Sequence, residues 1–255
     1  MGLRSLILLL IGPLLWCHDF WIVPSSFRPA ANAPLLLRLR VGQPYPGDPM
    51  PRLDPLVVRF DTWGPGGERP VPGSDGTDPA GFLRTGGPGP LWVCYFSRAS
   101  TVELEGDKFE AYLQEEGLED ISRLRARRGE TARSARDNFV RCAKSFLAVG
   151  GPPGNHDYDH SFGLPLELML EADPSRSTQL PLRLAFRGKP VPGALVTAFR
   201  KDAPDRKVRL RTDARGRVLL PLEGDGMWLV KSTHMEPDGA GQWNSYWASL
   251  TFQRD

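Results

Sequence analysis

The chain has 255 residues, with 32 lysines and arginines against 30 aspartates and glutamates. This near balance carries no electrostatic footprint for nucleic acid, and no basic tract or base-reading motif adds one. Its 25 prolines and 27 glycines, set among alternating apolar residues, describe many short strands and turns rather than a helical protein.

Residues 1–17 read as a secretory leader. Met1 to Arg4 give a basic start, Ser5 to Trp16 carry no charge, and polarity resumes at His18-Asp19. The apolar run is too short to span a bilayer, which takes about 20 residues. Removal of this leader makes His18 the first residue of a periplasmic or secreted chain. A cut before Cys17 with lipid attachment is the alternative, and the large Trp16 disfavours it. No later segment is long and apolar enough to be a membrane helix.

Leu35–Val41, Leu56–Trp63 and Leu91–Phe96 read as strands, the last of them central, with a turn-rich stretch over 64–89. Residues 107–128 carry Phe109, Tyr112, Leu113, Leu118, Ile121 and Leu124 at spacings of three and four. This is the pattern of an amphipathic helix, with Gly117 as an interruption. Ala135–Lys144 is expected to begin helical and pass into a strand over Ser145–Val149. The loop Gly150–Gly163 holds Asn155-His156-Asp157-Tyr158-Asp159-His160. Leu164–Leu170 resumes as a strand, and the polar stretch 173–179 reads as a linker and domain boundary. From Leu180, about six short strands separated by tight turns describe a small sandwich. The expected class is therefore mainly β. Two sandwich-like domains occupy 18–172 and 180–255, with one helical insertion near 107–128.

Cys94 and Cys142 are an even pair in an oxidising compartment, read either as a disulfide or as two buried thiols. Neither lies in a C-x-x-C pattern. No nucleophile elbow, zinc-protease helix or phosphate loop is present, so the chain is not read as an enzyme.

The candidate ligands are the four histidines: His18, His156, His160 and His234. A terminal His18 would offer its amine and its own Nδ1 to one ion, both available near neutral pH. Nitrogen donors of this kind suit Ni(II) or Cu(II) more than Zn(II). His156 and His160 share their loop with Asp157 and Asp159. His234 closes a strand beside Met235.

Two resemblances add to this. Gly188-Lys189-Pro190-Val191-Pro192-Gly193-Ala194, Thr212-Asp213-Ala214-Arg215-Gly216 and Gly226-Met227-Trp228 resemble the transthyretin-like, carboxypeptidase-regulatory sandwich, a non-catalytic module. The whole chain resembles the exported family of domain-of-unknown-function 4198. The residues that carry this likeness are His18-Asp19-Phe20-Trp21-Ile22-Val23-Pro24, Lys108 to Leu113, Arg141 to Lys144, Gly163 to Leu168, His234-Met235 and Trp247 to Phe252. The resemblance implies a periplasmic component of nickel or cobalt uptake that works with an inner-membrane transporter. It singles out His234, at the family's His-Met position, as the second ligand after His18. Copper or zinc remains open as the metal. The alternatives are an adhesion or scaffold module without metal, and a terminal-histidine copper oxidase, for which no aromatic substrate strip is readable.

Overall fold

A computed structural model describes residues 18–43, 45–151, 158–238 and 242–255. The expected leader, Cys17 included, and the loop residues His156 and Asp157 lie outside the described residues.

The first half of the chain contributes β1 (Phe20–Pro24), β2 (Pro34–Val41), β3 (Asp48–Met50), β4 (Val57–Gly64), β5 (Gly67–Pro70), β6 (Gly81–Arg84), β7 (Gly89–Ser97) and β8 (Ser100–Leu104). Two helices follow, α1 (Gly106–Glu115) and α2 (Glu119–Arg127), then β9 (Ala135–Val149) and β10 (Leu166–Leu170). The last part holds β11 (Gln179–Phe186), β12 (Lys189–Pro190), β13 (Leu195–Arg200), β14 (Ala203–Arg211), β15 (Arg217–Pro221), β16 (Gly226–Pro237) and β17 (Trp243–Arg254).

A nine-stranded sheet forms the middle layer, in the order β14-β13-β16-β17-β9-β7-β4-β5, with β8 also on β9. Its two faces are set by strand parity. In β9, Phe139, Ala143 and Leu147 face one side while Cys142 and Phe146 face the other. The first side is covered by the small sheet of β1, β2, β3 and β6 and by the two helices. The second is covered by the small sheet of β10, β11, β12 and β15. The mainly-β architecture is thus two sandwich-like packings that share one sheet.

This sharing joins what the sequence separates at 173–179. β17 pairs in parallel with β9, from Trp243↔Asp137 to Thr251↔Ser145, so strands from both sides of the expected boundary lie next to each other. Residues 173–179 are a connection between the antiparallel neighbours β10 and β11. Asp173 shapes the turn by accepting from the Ser175 N–H at 2.9 Å and the Ser177 hydroxyl at 2.6 Å. The polarity there marks a turn, not a linker.

Two other expectations change. Residues 135–149 are one strand throughout, because a period of two places aromatic and aliphatic residues on both covered faces. Cys94 and Cys142 are free buried thiols. They are offset by two positions on β7 and β9, since Cys94 faces Lys144 and Phe96 faces Cys142. Burial pushes the Cys142 thiol up to about 12 and that of Cys94 higher still.

Gly117 divides the helical segment. Its φ of 66° ends α1 in a left-handed turn. The N–H of Leu118 then reaches the carbonyl of Leu113 at 2.8 Å, and that of Gly117 reaches Gln114 at 3.2 Å. The helix end rests on the outer strand β14, where Arg209 donates to the Glu115 carbonyl at 2.6 Å and Arg211 to the Gly117 carbonyl at 2.9 Å. A Cβ on Gly117 would lie 2.6 Å from Cβ of Leu195. Gly117→Ala is therefore expected to destabilise the fold by about 2 kcal/mol, from left-handed strain and overpacking together. A denaturant midpoint unchanged from wild type would refute this.

Candidate functional site

β1 follows His18 and Asp19, and its residues fix it in place. Phe20, Trp21 and Ile22 are buried. Trp21 stacks on Tyr45 with ring centroids 5.6 Å apart, and the Arg141 guanidinium lies 5.0 Å from the centre of the Phe20 ring.

Asp19 precedes this strand and is held at every acceptor. Its carbonyl takes the Gly42 N–H at 2.9 Å. Oδ2 accepts from Gln43 Nε2 at 3.0 Å, and Oδ1 accepts from Lys231 Nζ at 2.6 Å. Lys231 also donates to Glu116 Oε1 at 2.8 Å, and Glu116 Oε2 accepts from the Thr233 hydroxyl at 2.9 Å. The three charged side chains are 5–6% exposed. Burial works against the charged ammonium of Lys231, but Asp19 and Glu116 outweigh it and raise its pKa. Burial raises the Glu116 carboxyl, with Lys231 opposing and Asp19 assisting. One lysine faces two carboxylates, so with all three ionised the cluster carries one uncompensated negative charge.

His18 adjoins this cluster. It is half-buried, and its Nδ1 is buried with no hydrogen-bond partner among the described residues. A buried polar nitrogen in that condition is costly unless something binds it. A cleft of about 290 Å³ opens nearby, walled by Asp19, Gln43, Tyr45, Phe199, Asp205 and Lys207.

The other histidines are placed elsewhere. On β16, Lys231 and Thr233 point to the face that holds Asp19 and the helices. His234 points to the opposite face, where it packs on Phe186 with centroids 4.3 Å apart. The large sheet therefore stands between His234 and the Asp19 cluster. Burial and Arg187 lower the His234 pKa against the pull of Glu236. His160 stacks on Trp63 at 3.9 Å and 12°, and burial and Lys144 lower its pKa. His156 falls outside the described residues. Among the described residues no group of three or more His, Cys, Asp or Glu is arranged to hold a metal ion. The three described histidines, His18, His160 and His234, are thus not gathered into one site.

Lys231, Glu116 and Asp137 were not singled out by the sequence reading. The signal for Lys231 was present, since a lysine inside the apolar run Trp228-Leu229-Val230-Lys231 must find a buried counter-ion. Lys144 inside Cys142-Ala143-Lys144-Ser145-Phe146 is its counterpart on the other face. It pairs with Glu167 at 2.8 Å, and Glu167 also accepts the N–H groups of Phe162 and Gly163. Burial opposes the Glu167 carboxylate, but Lys144 and these donors hold its pKa low.

The architecture is that of a mainly-β, three-layered protein with its candidate site at the head of the first strand. The chain belongs to the family described as Domain of unknown function (DUF4198), whose model matches residues 15–236. No curated protein matches the chain. Among solved structures it is similar to a tetra-tandem repeat from the extending region of a large adhesion protein, at 13% identity and a TM-score of 0.24. That match covers 93% of this chain and 49% of the other, so the chain spans about half of that structure's length. A bacterial ice-binding adhesin matches at 11% identity and a TM-score of 0.25, covering 96% of this chain and 66% of that one. The D0-D1 domain of intimin matches at 12% identity and a TM-score of 0.21, covering 92% and 97%. Likenesses at this level carry no argument about function. Among the described residues no helix is long and apolar enough to cross a membrane.

Asp137 is a further buried carboxyl on this face of the large sheet. Ser245 Oγ donates to its Oδ2 at 2.7 Å and the Tyr112 hydroxyl at 3.4 Å, while Oδ1 has no partner among the described residues. Burial raises its pKa to about 6, with the two hydroxyls opposing. A carboxyl whose folded value lies above its unfolded value near 3.9 binds more protons when folded. It therefore removes stability as pH rises from about 4 to beyond 6, by about 3 kcal/mol in all. In urea denaturation, the stability of Asp137→Asn relative to wild type is expected to rise across that window. A difference independent of pH would count against an ionising Asp137.

Proposed function

We propose that this protein is an exported binder of a divalent transition metal, nickel or cobalt, and captures the ion for uptake through the α-amine and Nδ1 of His18. The observation that carries this reading is the buried Nδ1 of His18, which has no hydrogen-bond partner among the described residues. Leader removal before His18 supplies the amine, and the two nitrogens close a chelate on one ion. Such donors favour Ni(II) and Cu(II), and Cu(II) binds more tightly at any given site of this kind, so metal supply decides which is carried. A chelate of two donors from one residue is open to solvent and suits a carrier that must give up its cargo. The partner implied is an inner-membrane metal transporter, and the compartment is the periplasm or the exterior.

His234 and His160 are not part of this chelate, because each is packed against aromatic rings away from the Asp19 cluster. The test is the intact mass of the exported protein followed by nickel and copper titration of the same material. The expected mass begins at His18. His18→Ala is expected to lower nickel affinity more than tenfold, about 1.4 kcal/mol or greater, while His234→Ala binds as wild type does. A mass beginning at an acylated Cys17, or unchanged affinity in His18→Ala, would defeat this reading and leave a metal-free scaffold.

A further inference from the structure

We infer that Lys231 is the positioning residue of the His18 metal site, acting through Asp19 from the centre of the large sheet. The inference rests on the metal-binding reading above and names the residue on which its geometry depends.

Three observations lead to it. First, Lys231 is the cation bound to the Asp19 side chain, at 2.6 Å, and it reaches Asp19 from β16, more than two hundred residues along the chain. Second, both carboxylate oxygens and the carbonyl of Asp19 are engaged at once. Residue 19 therefore has a single orientation, which sets the direction in which His18 leaves the strand. A donor must be held to within about 0.5 Å to keep its ligand geometry, and packing with further hydrogen bonds is what holds it. Third, the cluster has one positive charge against two negative. An ion at His18 would lie one residue from Asp19, a member of that cluster.

Loss of Lys231 would leave Asp19 and Glu116 as two buried carboxylates without a counter-ion. One would protonate or turn to water. In either case Asp19 is released, and the first residue of the mature chain is no longer aimed. Lys231 touches no metal ligand directly, so its effect runs through orientation.

The experiment uses the full exported chain and nickel(II) alone as the probe. Affinity is read by calorimetric titration and ligand geometry by the visible absorption of the bound ion, with melting temperature measured alongside. Lys231→Met is expected to lose at least tenfold in nickel affinity and to shift the absorption band. Lys144→Met breaks an equally buried ion pair on the opposite face of the same sheet. It should lower the melting temperature as well, yet bind nickel as wild type does. Should Lys231→Met fail to fold, Asp19→Asn cuts the same tie with an isosteric side chain and is expected to show the same loss. Wild-type affinity in Lys231→Met or Asp19→Asn, with His18→Ala inactive, would overturn the positioning role and leave the metal site standing. An equal loss in Lys144→Met would also overturn it, since affinity would then follow stability. No nickel binding by the wild type would defeat both readings together.

Discussion

Strands β9 and β17 run side by side through the middle layer, and over residues 141–149 and 247–252 both faces are buried. In a globular sheet with one wet face, polar residues simply point outward. Along those stretches no outward direction exists, so each polar group there and on residues 227–233 of β16 must be satisfied inside the protein or stay unsatisfied at a cost. The chain answers with a few buried ions. Lys144 reaches one outer layer through Glu167, and Lys231 reaches the other through Asp19 and Glu116. Such pairs add little net stability, because the desolvation of the charges offsets their attraction. Their effect is registry. Each lysine accepts only one placement of the segment that carries its partner, and so each outer layer is located on the central sheet.

The two faces use this device differently. Around Lys144 the partner is cradled by backbone N–H groups and the charges match. Around Lys231 they do not, and the excess is negative. The same face holds Asp137, a carboxylate with no cation bound to it among the described residues. Arg141 lies on this face as well, against the Phe20 ring, and the Nδ1 of His18, at the start of the first strand, has no hydrogen-bond partner among the described residues. The opposite face carries His234 and His160, packed on aromatic rings.

Much of the fold was legible in the sequence because it is written in local periods. The alternation at Leu35, Leu37 and Leu39, and again at Leu180, Leu182 and Leu184, gives the strands of both small sheets. The spacing of Phe109, Tyr112 and Leu113 gives α1, and Gly117 announces its end. What has no local period could not be read. The parallel pairing of β9 and β17 joins residues 106 apart, as at Asn138 and Asn244, and nothing near either strand signals the other. The boundary at 173–179 failed for that reason, since a polar turn and a linker look alike until the strands around them are known. The candidate site was half legible. His18 stood out by its place after the expected leader, whereas nothing in the local pattern singled out Glu116, which is buried and bound to Lys231. His156 and His160 drew attention through the loop they share with two aspartates and His234 through its His-Met position, and neither signal says which face of a sheet a residue takes.

The position of β17 also bears on when the protein can fold. It is among the last segments of this sequence to be made, yet it lies between β16 and β9 in the middle of the large sheet. Until residues 243–254 arrive, β16 and β9 have no bridge, and neither buried lysine has its full surroundings. Contacts this distant along the chain form slowly. The large sheet therefore closes only once residues 243–254 have joined β9 to β16.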